Sequence, residues 1–152
     1  MISKKTKYAL SALIYLAKEH NKGQPVLISN LAKKERIPKK FLELILLDLK
    51  NHGFLQSKRG RSGGYLLGKE PGAITLGQIV RMFDGPLAPV SCVSQSAYRK
   101  CEECVDEDCC GIRFVMKDVR DAIANILDKT TLADVLKRTE NIENNNALTY
   151  FI

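Results

Sequence analysis

The stretch "GFLQSKRGRSGGYLL", residues 53–67, constrains the fold more than any other. Two short strand-like pieces, Leu55–Lys58 and Tyr65–Leu67, flank a tip that holds Gly60, Gly63 and Gly64. Glycine accepts the positive φ angles that a tight hairpin tip needs, so the segment predicts a β-hairpin. Lys58, Arg59 and Arg61 crowd that tip. An ordinary surface hairpin with solvated arginines has the same local pattern, so the segments before it must decide.

Upstream, "LISNLAKKERIPKKFLELILLDLKNHGFL" reads as two helices with a tight break. Ser29 is placed to cap a short helix ending near Glu35, with Ile28, Leu31 and Ala32 inward. Pro38 suits the first turn of the next helix, where its missing N–H costs little. That helix runs to about Asn51, with Phe41, Leu42, Ile45, Leu46 and Leu49 as its apolar stripe. Lys39, Lys40, Glu43 and Lys50 lie on the other side. A short helix, a turn and a second helix with a basic start is the helix-turn-helix plan, and a following hairpin makes it a winged helix. Arginines on such a wing suit a minor groove or its phosphates.

Charge points the same way. The chain carries a formal +7, but residues 1–69 hold 15 Lys/Arg against 4 Asp/Glu, while the remainder holds 9 against 13. A basic half joined to a mildly acidic half suggests polyanion binding in the first and another task in the second. The opening "MISKKTKYALSALIYLAKEH" imitates a signal peptide, but it lacks a small-residue cleavage site and its apolar residues recur at helical spacing. It is expected to be a first helix of a cytoplasmic protein, and no apolar run reaches the length of a membrane span.

In the second half "TLGQIVRMFDG" predicts a helix capped by Thr75 and ending near Gly85. An irregular stretch of about 25 residues follows, a length expected of a functional or disordered connection. A helix from Ile112 then carries Ile112, Val115, Met116, Val119, Ala122, Ile123, Ile126 and Leu127 as one stripe. So small a domain has little left to cover it, and a second copy of the chain is the expected partner, with packing on its own domain as the alternative. "TLADVLKR" predicts a last short helix capped by Thr131, and residues 139–152 a flexible, asparagine-rich tail whose "LTYFI" could dock on a groove or edge.

The irregular stretch holds Cys92 and then "CEECVDEDCC", so all five cysteines lie between 92 and 110. An odd count in a reducing compartment argues against a disulfide staple. Surrounding carboxylates disfavour the thiolates that a metal needs. Structural zinc usually takes separated cysteine pairs or histidines, and His20 and His52 are both in the first half. Four thiols in one loop suit an iron–sulfur cluster, while a thiol sensor, zinc and an incidental grouping stay open. "CEEC" lacks a thioredoxin-like setting, and no hydrolytic arrangement or phosphate-cradling glycine loop occurs, so the chain is not expected to be an enzyme.

"KYALSALIYLA", "FLELILLDLKNHGFLQSKRGRSGGYLL", "ITLGQIVRMFDGPLAPVSCV" and "TTLADVL" together resemble the bacterial winged-helix regulators typified by IscR, NsrR and CymR. The likeness covers residues 1 to about 138, and "KRGRSGGYLL" is its most specific part. It implies a cytoplasmic, dimeric transcription regulator joined through the helix near residues 112–128. In that family the loop before this helix often holds an iron–sulfur cluster through three cysteines, which alters DNA binding. Other members carry none and answer to a partner protein or to thiol oxidation.

The sequence departs from the iron-regulating pattern. The expected histidine falls on Arg113 if Cys110 is the third cysteine, and a five-residue spacing puts the first cysteine at Tyr98. The nitric-oxide-sensing members of the family can use an acid near the start of the first helix, where Tyr8 and its lysine neighbours offer none. A cluster here needs its own ligand set, taken as Cys92, Cys101, Cys104 and Cys110, with Cys109 a substitute.

The expected fold is mainly α with a small β-hairpin wing: a winged helix-turn-helix domain (1–83), a cysteine-rich sensor loop (84–111), a dimerisation helix with a final short helix (112–138), and the tail (139–152). The expected contacts to double-stranded DNA are Ser29, Lys39, Lys40, Glu43, Lys58, Arg59, Arg61, Ser62, Gly63 and Tyr65. The expected function is a homodimeric DNA-binding regulator, controlled by a cluster or by thiol state. A cluster-free regulator governed by a partner protein is the near alternative. A small redox protein is the distant one, and it has no use for an arginine-tipped wing.

Overall fold

The computed structural model describes residues 2–149. Its elements in chain order are α1 (Lys4–Glu19), α2 (Ile28–Glu35), α3 (Lys39–Asn51), β1 (Leu55–Lys58), β2 (Gly64–Leu67), α4 (Leu76–Asp84), α5 (Gly111–Lys129) and α6 (Leu132–Thr149). The Ser3 hydroxyl starts α1 by accepting the Thr6 N–H at 3.1 Å. The helix then buries Ala9, Ala12, Leu13, Leu16 and Ala17. Leu31, the α3 residues Leu42, Ile45, Leu46 and Leu49, and Ile74, Ile79 and Leu132 close the core around it. Helix α1 is the centre of the domain because it packs against α2, α3, α4, α6 and β2, and burying each large aliphatic side chain contributes about 1.5–3 kcal/mol.

Two expectations at the helix-turn-helix need correction. Ser29 does not cap α2: the helix starts at Ile28, with extended Leu27 before it and no side-chain cap. The cause is the wing. The Val26 N–H donates to the Tyr65 carbonyl at 2.8 Å and the Tyr65 N–H returns to Val26 at 2.9 Å, so the chain stays extended up to Leu27. Phe41 is not part of the buried stripe but 48% exposed, set edge-on to Tyr8 with ring centroids 6.1 Å apart. Pro38 sits just before α3, and the turn ahead of it puts Arg36 at φ 54°. Ile37 is buried beneath that turn.

The hairpin pairs Leu55 with Leu67 through Lys58 with Gly64. Glycine serves two separate needs here. At Gly64, φ is +144° and a Cβ would stand 2.2 Å from the Val26 carbonyl oxygen. At Gly63 the φ is ordinary, but a Cβ would lie 2.3 Å from the Lys58 carbonyl oxygen.

Thr75 caps α4 in a reciprocal box with Gln78, as its position predicts. Thr131 opens α6 in the same way with Asp134, whose carboxyl is held below the ordinary range by the Thr131 N–H and hydroxyl. The last helix is not short. It continues through Thr149, so residues 139–149 of the expected tail are helical. No glycine or proline follows Thr131 to stop it. Of "LTYFI", Leu148 and Thr149 belong to this helix and the rest lies outside the described residues.

Candidate nucleic-acid interface and cysteine loop

Because α3 turns Leu42, Ile45, Leu46 and Leu49 into the core, its opposite face must present Lys40, Glu43, Leu44 and Leu47. Lys39, Lys40 and Glu43 are exposed, as their phase on the helix predicts. Among the described residues Glu43 pairs with neither lysine. The Lys5 ammonium, 2.9 Å from Asp48, neutralises the other acid of this helix and ties α1 to it.

Lys58, Arg59, Ser62 and Gly63 of the wing line a groove of about 690 Å³ together with Lys22, Gln24 and Asn30. Ser29, next to Asn30, is exposed in the first turn of α2, and Arg61 is exposed at the wing tip. Tyr65 is placed differently: it is half-buried against the core, and its backbone joins the wing to Val26. Sequence reading missed Lys22 and Asn30. Only the long-range pairing of Val26 with Tyr65 brings them to the wing, and pairing of that kind leaves no local pattern.

The cysteine loop folds back on α5 through arginines. Arg113 donates to the Cys92 carbonyl at 3.5 Å and to the Glu107 carbonyl at 3.3 Å. Arg120 donates to the Val93 carbonyl at 2.6 Å. Val93 and Ser94 are buried under this clamp. The Tyr98 hydroxyl donates to the Glu107 carboxylate, which raises the phenol above its ordinary value. Cys92, Cys104 and Cys110 are half-buried, whereas Cys101 and Cys109 are exposed. Burial, then the charges of Cys110, Glu107 and Cys101, push the Cys104 thiol up, so the protonated thiol is favoured there.

Among the described residues no three His, Cys, Asp or Glu side chains converge to hold a metal ion. In this arrangement Cys92, Cys101, Cys104 and Cys110 do not converge on one point, so a cluster held by all four needs the loop to rearrange.

Helix α5 buries none of its residues. Ile112, Val115, Val119, Ile123 and Ile126 of the expected stripe stand exposed, Ile112 at 71% and Ile126 at 60%. The helix is docked to α4 by Arg81, which forms a two-pronged pair with Asp128 (Nη2 to Oδ2, 2.8 Å). Gly77 allows that approach: a Cβ there would sit 2.0 Å from the Asp128 carboxylate.

A reading helix with a basic start, a glycine-built wing and a long bare helix define a winged helix-turn-helix regulator of transcription. The chain belongs to the Rrf2 family, described as iron-dependent transcriptional regulators, whose family model matches residues 2–138. It is 46% identical over 138 residues to an rrf2-like HTH-type transcriptional regulator of Rhodobacter capsulatus, covering 90% of this chain and 92% of that one. It is 36% identical over 139 residues to the HTH-type transcriptional regulator CymR of Bacillus subtilis, covering 91% of each.

Among solved structures, CymR of B. subtilis, titled the global cysteine regulator, superposes with a TM-score of 0.77 at 36% identity, over 91% of this chain and 97% of that one. IscR of T. potens superposes with a TM-score of 0.73 at 28% identity, over 93% and 90%. The chain is thus a transcription regulator and not an enzyme. No helix among the described residues is long and apolar enough to cross a membrane.

Proposed function

We propose that the chain acts in the cytoplasm as a homodimer that binds a near-palindromic DNA duplex, with the 84–111 loop setting its affinity. The observation that carries this is the bare apolar face of α5, immediately beside a loop pinned to the same helix by Arg113 and Arg120. Two copies joined along α5 would present two α3 helices, and a twofold axis requires two half-sites. A change in the loop would shift the reading heads relative to one another.

Lys39, Lys40, Lys58, Arg59 and Arg61 would meet phosphates, with Ser29, Ser62 and Gly63 close to the backbone and Tyr65 shaping the wing. Glu43, unpaired with its lysines, would accept a hydrogen bond from a cytosine amino group, worth about 1–3 kcal/mol of discrimination. Selection of bound duplexes from a random pool tests the reading. Affinity should fall steeply with salt, and Arg59→Ala should flatten that slope by about one unit if it neutralises one phosphate. Glu43→Ala should relax preference at one position per half-site. Affinity indifferent to salt would overturn the proposal.

For the signal, the grip of Arg113 and Arg120 on the loop carbonyls and the exposed thiols of Cys101 and Cys109 support control by thiol state or by a partner protein that grips the loop. The family's description as iron-dependent favours a second reading, a cluster held by Cys92, Cys101, Cys104 and Cys110, for which the loop would have to leave the arginines. Iron and sulfide analysis of protein purified without oxygen separates the two. Stoichiometric iron that Cys104→Ala and Cys110→Ala abolish supports the cluster, and colourless, iron-free protein supports the thiol or partner reading.

A further inference from the structure

The outermost ridge of α3 is not polar. At about 100° per residue, the face opposite Leu42, Ile45, Leu46 and Leu49 is formed by Lys40, Leu44, Leu47 and Asn51. Leu44 is 62% exposed and Leu47 46% exposed, on the helix that the proposed function lays against DNA. Two bare leucines at the crest of a reading helix call for an apolar partner.

A second copy of the chain is a poor one. It would bring Lys39 and Lys40 of both copies together within the strongly basic half, and α5 already offers a face free of that repulsion. The apolar feature of a major groove is the 5-methyl group of thymine. Leu44 and Leu47 stand about 4.5 Å apart along the helix. Base pairs stack about 3.4 Å apart, so the two side chains can address neighbouring steps.

Resting on the DNA-binding reading above, we infer that Leu44 and Leu47 are specificity residues that recognise thymine methyl groups in each half-site, beside the base read by Glu43.

Replacing thymine by deoxyuridine removes the methyl and leaves the base pair's hydrogen bonds unchanged, which makes it the test. Duplexes selected by the wild-type protein are rebuilt with deoxyuridine at one thymine position at a time. One or two positions per half-site should each lose about four-fold in affinity, as for one buried methyl. Leu44→Ala or Leu47→Ala should bind the thymine duplex more weakly and no longer distinguish it from the deoxyuridine duplex.

Both side chains are exposed, so circular dichroism and the thermal midpoint should match the wild type. Selection of a defined site with no deoxyuridine-sensitive position, or with sensitivity retained in both variants, overturns the inference and leaves the DNA-binding reading standing. Variants that alter only the mass of the dimer overturn it too, because the leucines would then be subunit contacts. A chain that selects no site at all overturns both readings.

Discussion

Helices α3 and α5 carry the same sequence signal and meet different fates. Each repeats apolar residues at three- and four-residue steps. Helix α3 buries Leu42, Ile45, Leu46 and Leu49 completely, while α5 buries nothing along nineteen residues. The period therefore shows that a face needs cover without saying what supplies it. For α3 the cover is α1 with Leu31 of α2 and the base of the wing. For α5 the same chain half-buries Met116, Ala124 and Leu127 and adds polar pins at the edges, Asp128 to Arg81 and Arg120 to the Val93 carbonyl.

Truncating one residue in each helix should separate the two cases. Leu46→Ala should lower unfolding free energy by about 2–5 kcal/mol in urea titration, through lost burial and a residual cavity. Ile126→Ala, measured on the free protomer, should change it by less than about 0.5 kcal/mol. If the proposed dimer forms along α5, Ile126→Asp should leave the protomer folded and shift its sedimentation from that of a dimer to that of a monomer. Equal destabilisation by both alanine variants would mean that α5, like α3, is an internal helix.

Glycines sharpen the same contrast. Gly64→Ala places a Cβ against the Val26 carbonyl at a φ open to few side chains. The strain alone costs about 1–3 kcal/mol. The pairing of Val26 with Tyr65 should open, and DNA affinity should fall while helical content by circular dichroism persists. Gly111, at the start of α5, would meet nothing within 4 Å. Gly111→Ala should stay within about 0.5 kcal/mol of the wild type in thermal unfolding. A disturbed Gly111→Ala variant would indicate that the loop grips the start of α5 more closely than its surroundings suggest.

What was legible in the sequence follows from how local each cause is. The Thr75 cap, the hairpin between Leu55 and Leu67 and the phase of Lys39, Lys40 and Glu43 depend on near neighbours, and the structure has them where the residues imply. Ser29 is no cap because the pairing of Val26 with Tyr65, 39 positions further along the chain, fixes where α2 begins. Phe41 was misread because a helix as apolar as "FLELILLDL" offers more hydrophobic residues than one core face can take. That same surplus was the signal for Leu44 and Leu47. The clamp of Arg113 and Arg120 had no signature, since their acceptors are backbone carbonyls and every residue has one. The helical reach of α6 to Thr149 was obscured by asparagines, which lower propensity without stopping a helix as glycine or proline would.

The smallest expected effect concerns the polar pin of α5. The hydrogen bond from Arg81 holds the Asp128 carboxyl below the ordinary carboxylate range, against the opposing effect of burial. A carboxyl depressed in the folded state contributes stability above its unfolded value of about 3.9 and loses it as pH falls through the lowered folded value. The side chains are 43% and 42% exposed, so solvent screens the pair. Its two-pronged geometry is worth about 0.5–1 kcal/mol. Asp128→Asn should therefore cost about that much at neutral pH and nothing in strong acid, where the wild type has lost the same contribution. Thermal unfolding of both proteins across that range gives the comparison, and amide exchange near the end of α5 should quicken in the variant. Identical stability at neutral pH would mean that only packing at its edge holds α5 to α4, and the helix would then be freer to move with the loop than this ion pair allows.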